Sequence, residues 1–226
     1  ISVTDRCNFR CTYCMPVEIY GERYEFLPKD DLLTFEEITR LAGILTGMGG
    51  VKVRLTGGEP LVRRNIMWLF ERLGRHLDSG ALDELTLTTN GSQLPKYARA
   101  LAAARVKRVN ISLDTLDADK FRAITRWGKF DQVMEGIAAA KDAGLGVKIN
   151  TVALNGVNDG EIEDLVRWCG EKDMDLNFIE TMPMGEIDGD RSEQYLPLTQ
   201  VRARMAETWT LDENDHGSGG PARYVT

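Results

Sequence analysis

Val51-Lys52-Val53-Arg54-Leu55, followed at once by Thr56-Gly57-Gly58-Glu59-Pro60, is the stretch that decides the fold. Its apolar residues alternate as they do on a strand, and the Gly-Gly-Glu-Pro run stops the strand abruptly. Upstream, Thr34-Phe35-Glu36-Glu37 reads as a capping box. Ile38, Leu41, Leu45 and Met48 then recur at helical spacing, which predicts a helix over 34–48 ended by Gly49-Gly50. Downstream, Met67, Leu69, Phe70, Leu73 and Leu77 mark a second helix.

The same unit repeats along the chain. Strands are predicted over 82–89, 106–113, 146–153 and 175–179, with helices over 95–105, 118–125, 130–143 and 159–171, the last capped by Asp159. With Ile1-Ser2-Val3 this makes six strands alternating with helices, the pattern of βαβ units and a parallel sheet. Six strands are too few for a closed eight-fold barrel. The expected fold is therefore α/β, a partial, open, TIM-like (βα)6 barrel of parallel strands. A single core domain is expected over 1–226, irregular from about 181, with a short helix over 198–207 and a mobile acidic, Gly-rich stretch over 212–220.

The polar residues fall at the C-terminal ends of these strands: Thr88-Thr89-Asn90, Ser112 and Asp114, Asn150, Glu180 and the Gly57-Gly58-Glu59 turn. That edge is where parallel α/β proteins bind ligands. After the first predicted strand comes Cys7-Asn8-Phe9-Arg10-Cys11-Thr12-Tyr13-Cys14-Met15-Pro16. Three thiolates at C-x3-C-x2-C spacing can face one inorganic centre. Core packing fits poorly, because Asn8, Arg10 and Thr12 are polar and the spacing matches neither helix nor strand. Zinc would want a fourth ligand, for which only Cys169, His76 and His216 remain, none at zinc-finger spacing. A [4Fe–4S] cube normally takes four thiolates, so a three-cysteine loop leaves one iron open.

At 226 residues, with 42% hydrophobic and 28% charged residues, the composition is that of a globular protein able to bury a full core. No run of about 18 apolar residues predicts a membrane span, and no secretory signal is visible. Ile1 opens inside a predicted strand, so the natural N-terminus is expected to lie upstream. Four cysteines without such a signal point to a reducing compartment, the cytoplasm. A net charge of −7 argues against a nucleic-acid or anionic-membrane binder, but leaves room for one anion held by local cations. Lys52 and Arg54 share one face of their strand, and Lys148 stands just before Asn150.

Cys7, Cys11 and Cys14, with Tyr13 before the third cysteine, resemble the signature of radical S-adenosylmethionine enzymes. The resemblance implies a [4Fe–4S] cluster whose open iron takes the amine and carboxylate of S-adenosylmethionine. Arg54 to Leu61, Thr88 to Gly91, Ile111 to Leu116, Lys148 to Val152 and Phe178 to Pro183 together resemble the GTP 3′,8-cyclase family of molybdenum-cofactor biosynthesis. That family's pattern implies cofactor contacts at Tyr13, Gly57, Gly58, Glu59, Thr88, Ser112, Asn150 and Met182. It assigns Lys52, Arg54 and Lys148 to GTP. The implied partners are GTP, an electron donor such as flavodoxin or ferredoxin, a downstream cyclic pyranopterin monophosphate synthase, and a second copy in a homodimer. The family's second [4Fe–4S] cluster has no ligands in this chain, and Asn177 stands where relatives often carry Arg. A truncated core is therefore expected. The alternatives are another radical S-adenosylmethionine enzyme, such as a peptide-modifying one, and a one-cluster electron carrier.

Overall fold

The structure, a computed structural model, describes residues 1–181, 192–215 and 222–226. Five strands run in sequence order across one sheet: β1 (Lys52–Leu55), β2 (Glu84–Thr89), β3 (Arg108–Ser112), β4 (Gly146–Ala153) and β5 (Asp175–Glu180). β1 pairs with β2 in parallel, Lys52 opposite Glu84, and β2 with β3, Thr88 opposite Asn110. The predicted strand at Ile1-Ser2-Val3 is reduced to a single parallel bridge between Ser2 and Thr56, so five strands replace the expected six. So short an edge segment has one hydrogen-bonding neighbour and soon departs into the cysteine loop.

Helices fill the connections: α1 (Phe35–Gly47), α2 (Ile66–Asp78), α3 (Leu94–Ala103), α4 (Ala118–Thr125), α5 (Phe130–Asp142), α6 (Ile162–Glu171) and α7 (Leu198–Thr208). The Thr34 capping box is present, its hydroxyl accepting from Glu37 N and the Glu37 carboxylate from Thr34 N. α2 buries Ile66, Leu69, Phe70 and Leu73, one face at helical spacing. Asp159 does not cap α6. A 3-10 turn, Asp159–Glu161, precedes that helix, and Asp159 instead pairs with Arg204 at 3.6 Å.

The chain forms two compact units. The first contains Ile1–Ser112 and Ala118–Lys148, the second Leu113–Asp117 and Ile149–Thr226. In the first, Val53, Leu55, Leu85, Leu87, Val109 and Ile111 are buried. Strand alternation puts Lys52, Arg54, Glu84, Thr86, Thr88, Arg108, Asn110 and Ser112 on the opposite face. Parallel strands buried on both faces read as near-continuous apolar runs; on this polar face Thr86 and Asn110 are buried and Asn110 Nδ2 donates to Thr86 Oγ1 at 3.2 Å.

In the second unit, Ala153, Ile162, Leu196 and Val201 form a small core with Phe178, Leu198 and Met205 against it. Asn158 ties its loops together, donating to Asp114 O and Val152 O and accepting from Leu154 N. The Asp114 carboxylate accepts from Val152 N, and Glu180 accepts from Leu198 N at the start of α7. Two of the polar strand-end residues are thus structural. A two-stranded ribbon of β6 (Glu213–Asn214) and β7 (Tyr224–Val225) follows α7. Among the described residues, no helix is long and apolar enough to cross a membrane.

Candidate metal and cofactor site

The cysteine loop is launched by main-chain pairing. Val3 N donates to Thr56 O at 2.8 Å, Gly58 N to Thr4 O at 2.7 Å and Glu59 N to Arg6 O at 2.9 Å. This approach is possible only without side chains at the turn. A Cβ on Gly57, whose φ is +140°, would lie 2.4 Å from Thr4 O, and one on Gly58 would lie 2.3 Å from Arg6 O. The two glycines therefore serve the residues that lead into Cys7.

Beyond Cys7 the loop leans on α4. Arg10 N and Thr12 N donate to Thr125 O and Ile124 O, and Phe9 meets Phe121 edge to face. Cys14 N and Met15 N both donate to Cys11 O, closing a turn that carries Tyr13. The turn after β2 clasps the loop from the other side: Asn90 Nδ2 donates to Asn8 Oδ1 at 2.8 Å, and Asn8 Nδ2 to Ser92 Oγ at 3.0 Å. Sequence reasoning missed Asn8 and Ser92, because polar residues in a loop carry no signal of their long-range partners.

None of the four cysteines is in a disulfide; Cys7 and Cys11 are half-buried and Cys14 is exposed. Two donors point at the Cys7 sulfur, the Phe9 amide at 3.4 Å and Asn90 Nδ2 at 3.9 Å. Burial pushes the Cys7 thiol up, and the Phe9 amide and Arg10 act against that rise. A cavity of about 460 Å³ brings Cys14 together with Gly57, Gly58, Thr56, Asp5 and Tyr20. Small-molecule sites have this size.

These residues fit a [4Fe–4S] cube. Three thiols share one braced loop, donors already face the Cys7 sulfur, and Cys14 lines the cavity. Among the described residues, no three His, Cys, Asp or Glu side chains converge on one metal position, the three loop cysteines included. Cys169 is packed on α6, its thiol pushed up to about 12 by burial. His216 and Met182 lie outside the described residues.

Glu59 is fully buried and clamps the glycine turn to β2. Its carboxylate accepts from Leu61 N at 2.9 Å, Thr89 Oγ1 at 2.9 Å and Asn90 N at 2.6 Å. Glu59→Gln replaces one acceptor oxygen by a donor and should cost about 1–3 kcal/mol of stability. Burial holds this carboxyl above its ordinary value of 4.5, against the pull of those three donors. The folded chain thus binds the proton more tightly than the unfolded chain. The contribution of Glu59 to stability is fully present below the unfolded value and falls as pH rises through the window above it. Denaturant melts across that window should show the parent chain losing stability relative to Glu59→Gln. A constant difference would remove burial as the dominant cause.

Thr88 and Ser112 are half-buried near the C-terminal ends of β2 and β3, on the polar face. Asn150 follows Lys148 by two positions on β4 and belongs to the second unit. Lys52 pairs with Glu84, which also takes Arg108 at 2.8 Å. The two cations hold the Glu84 carboxyl below its usual range, although burial opposes them. Arg54 is exposed on the same face, and Lys148 is buried with β2 and β3 between its strand and β1. The sequence pattern showed the Lys52–Arg54 face but not its internal counter-ion, since Glu84 lies on the next strand.

A family model described as the radical SAM superfamily matches residues 1–169. The chain is 60% identical over 226 residues to the GTP 3′,8-cyclase of Brucella ovis, covering all of this chain and 64% of that protein. It is 60% identical over 225 residues to the GTP 3′,8-cyclase of Mesorhizobium japonicum, covering 66% of that protein. The chain thus spans slightly less than two thirds of these relatives.

Among solved structures, Streptococcus suis SuiB bound to S-adenosylmethionine superposes with a TM-score of 0.70 at 21% identity, over 91% of this chain and 45% of that one. The structure of anSMEcpe with bound AdoMet gives 0.64 at 19% identity, over 85% and 53% of the two chains. These likenesses establish the expected α/β partial barrel, open rather than closed. The sequence match spans the cysteine loop, the glycine turn and β1 to β4, and the chain belongs to the radical SAM superfamily.

Proposed function

We propose that the chain is the core of a GTP 3′,8-cyclase, acting in the first step of molybdenum-cofactor biosynthesis. The observation that carries this reading is identity of 60% over the whole chain to proteins named for that activity. Cys7, Cys11 and Cys14 hold the cluster. Tyr13, the Gly57-Gly58 turn, Thr88 and Ser112 contact S-adenosylmethionine, with Glu59 fixing the turn from behind. When bound, a [4Fe–4S] cluster with S-adenosylmethionine supplies an electron and a carbon radical able to take hydrogen from an unactivated C–H bond.

In the reaction the 3′ hydrogen of the GTP ribose is removed, C3′ bonds to guanine C8, and one electron and one proton complete the cyclised product. The chain's own part is to place the ribose and to neutralise the triphosphate. Arg54 and Lys52 on β1 and Lys148 on β4 supply cations for that purpose. The electron comes from a flavodoxin or ferredoxin, and the product passes to a cyclic pyranopterin monophosphate synthase. A second cluster that binds the guanine, and a homodimer, complete the family's pattern.

The test is GTP binding to the anaerobically reconstituted chain. GTP should protect Lys52 from acylation, and Lys148→Ala should weaken binding about 10- to 100-fold, the loss of one charge-assisted contact. Equal labelling with and without GTP would reject GTP as the ligand. Protection by a peptide in its place would favour a peptide-modifying enzyme.

A further inference from the structure

Arg10, between Cys7 and Cys11, is only 5% exposed although it sits in a loop. Its Nε donates to Tyr20 O at 2.6 Å, and its Nη1 donates to Cys7 O and Phe9 O, both at 2.8 Å. The guanidinium lies 4.2 Å from the ring centre of Trp127 and 5.6 Å from that of Phe26. Carbonyls and aromatic faces satisfy its donors and its flat surfaces. Among the described residues, no carboxylate pairs with it.

A buried cation without a counter-ion is unfavourable unless an anion completes its surroundings. The anions this loop is built to carry are the thiolates of Cys7, Cys11 and Cys14. We propose that Arg10 is the counter-charge of the cluster held by these three cysteines, and that it makes the cluster easier to reduce. Reduction adds one negative charge to the cluster, and a fixed cation in a site shielded from water favours the more negative state. The same side chain positions the loop, because its fork joins the carbonyls on either side of Asn8 to Tyr20, a residue of the cavity lining. Lysine could keep the charge but not the three-carbonyl fork or the stacking. Trp127, 47% exposed, covers one face of the guanidinium.

The inference rests on membership of the superfamily and not on GTP as substrate. Its test is the midpoint of the cluster in the reconstituted chain, read by the spin signal of the reduced state in a redox titration. At a fixed solution potential, Arg10→Met should lower the reduced-to-oxidised ratio about tenfold, a shift of about 59 mV for a one-electron couple. Arg10→Lys should fall between the two, and Trp127→Leu should shift the midpoint in the same direction by admitting water. Midpoints equal to that of the parent chain in Arg10→Met and Trp127→Leu, at full iron content, would overturn the proposal. Should Arg10→Met retain no iron, an unmoved midpoint in Trp127→Leu would overturn it alone. Absence of any four-iron signal in the parent chain is a different result, and would count against the cluster itself.

Discussion

Cys11→Ala should abolish reductive cleavage of S-adenosylmethionine and remove most of the bound iron. The parent chain, reconstituted without oxygen, should carry about four irons, the count of one cube. Cys11 has no substitute. The other cysteine, Cys169, is packed in α6 with its thiol pushed up to about 12, so Cys169→Ala should leave the iron count unchanged. Were the three cysteines to hold such a cube, loss of one would leave it on two thiolates only. Cys7→Ala and Cys14→Ala should behave alike, since all three stand on one braced loop. Iron analysis with product chromatography decides the matter: unaltered cleavage in Cys11→Ala would refute the assignment, and a stable count near eight would reveal a second cluster.

Gly58→Ala should destabilise the chain by about 1–3 kcal/mol and lower its iron content. The added methyl would lie 2.3 Å from Arg6 O and 2.6 Å from Arg6 C, distances at which something must move. The glycine side cannot yield easily, because Gly58 N and Glu59 N are bonded to Thr4 O and Arg6 O, and Glu59 is anchored to β2 by Thr89 and Asn90. What moves is the 4–6 segment, and Cys7 is the next residue. Gly160→Ala is the matched control, since a Cβ there meets nothing within 4 Å, and it should stay within about 0.5 kcal/mol of the parent. Denaturant midpoints and iron counts measured together check both parts. Parent-like iron in Gly58→Ala would show that the turn does not place the loop.

The architecture was legible because its signals are local. Alternation in Val51 to Leu55, the Thr34 capping box and the helical spacing of Leu69, Phe70 and Leu73 each depend on residues a few positions apart, and each reappears in the structure. The misreadings share a cause as well. Ile1-Ser2-Val3 has strand composition, yet a strand's length depends on its neighbour, and the neighbour allows one bridge. Asp159 had the chemistry of a cap, but the chain enters α6 through a 3-10 turn and Asp159 meets Arg204 instead.

Within the site, the sequence by itself determined the donor set, three thiols at C-x3-C-x2-C spacing, and the polar edge they share with Gly57-Gly58. Only the tertiary structure decided how those residues are held. It shows the two glycines making room for the main chain of Thr4 to Arg6, Glu59 clamping the turn from within the core, and Glu84 pairing with Lys52 and Arg108. It also shows Arg10 enclosed by three carbonyls and two aromatic rings. The physical reason is range: ligand spacing is written in adjacent residues, whereas the burial and partner of a charge depend on segments that folding alone brings within a few ångströms.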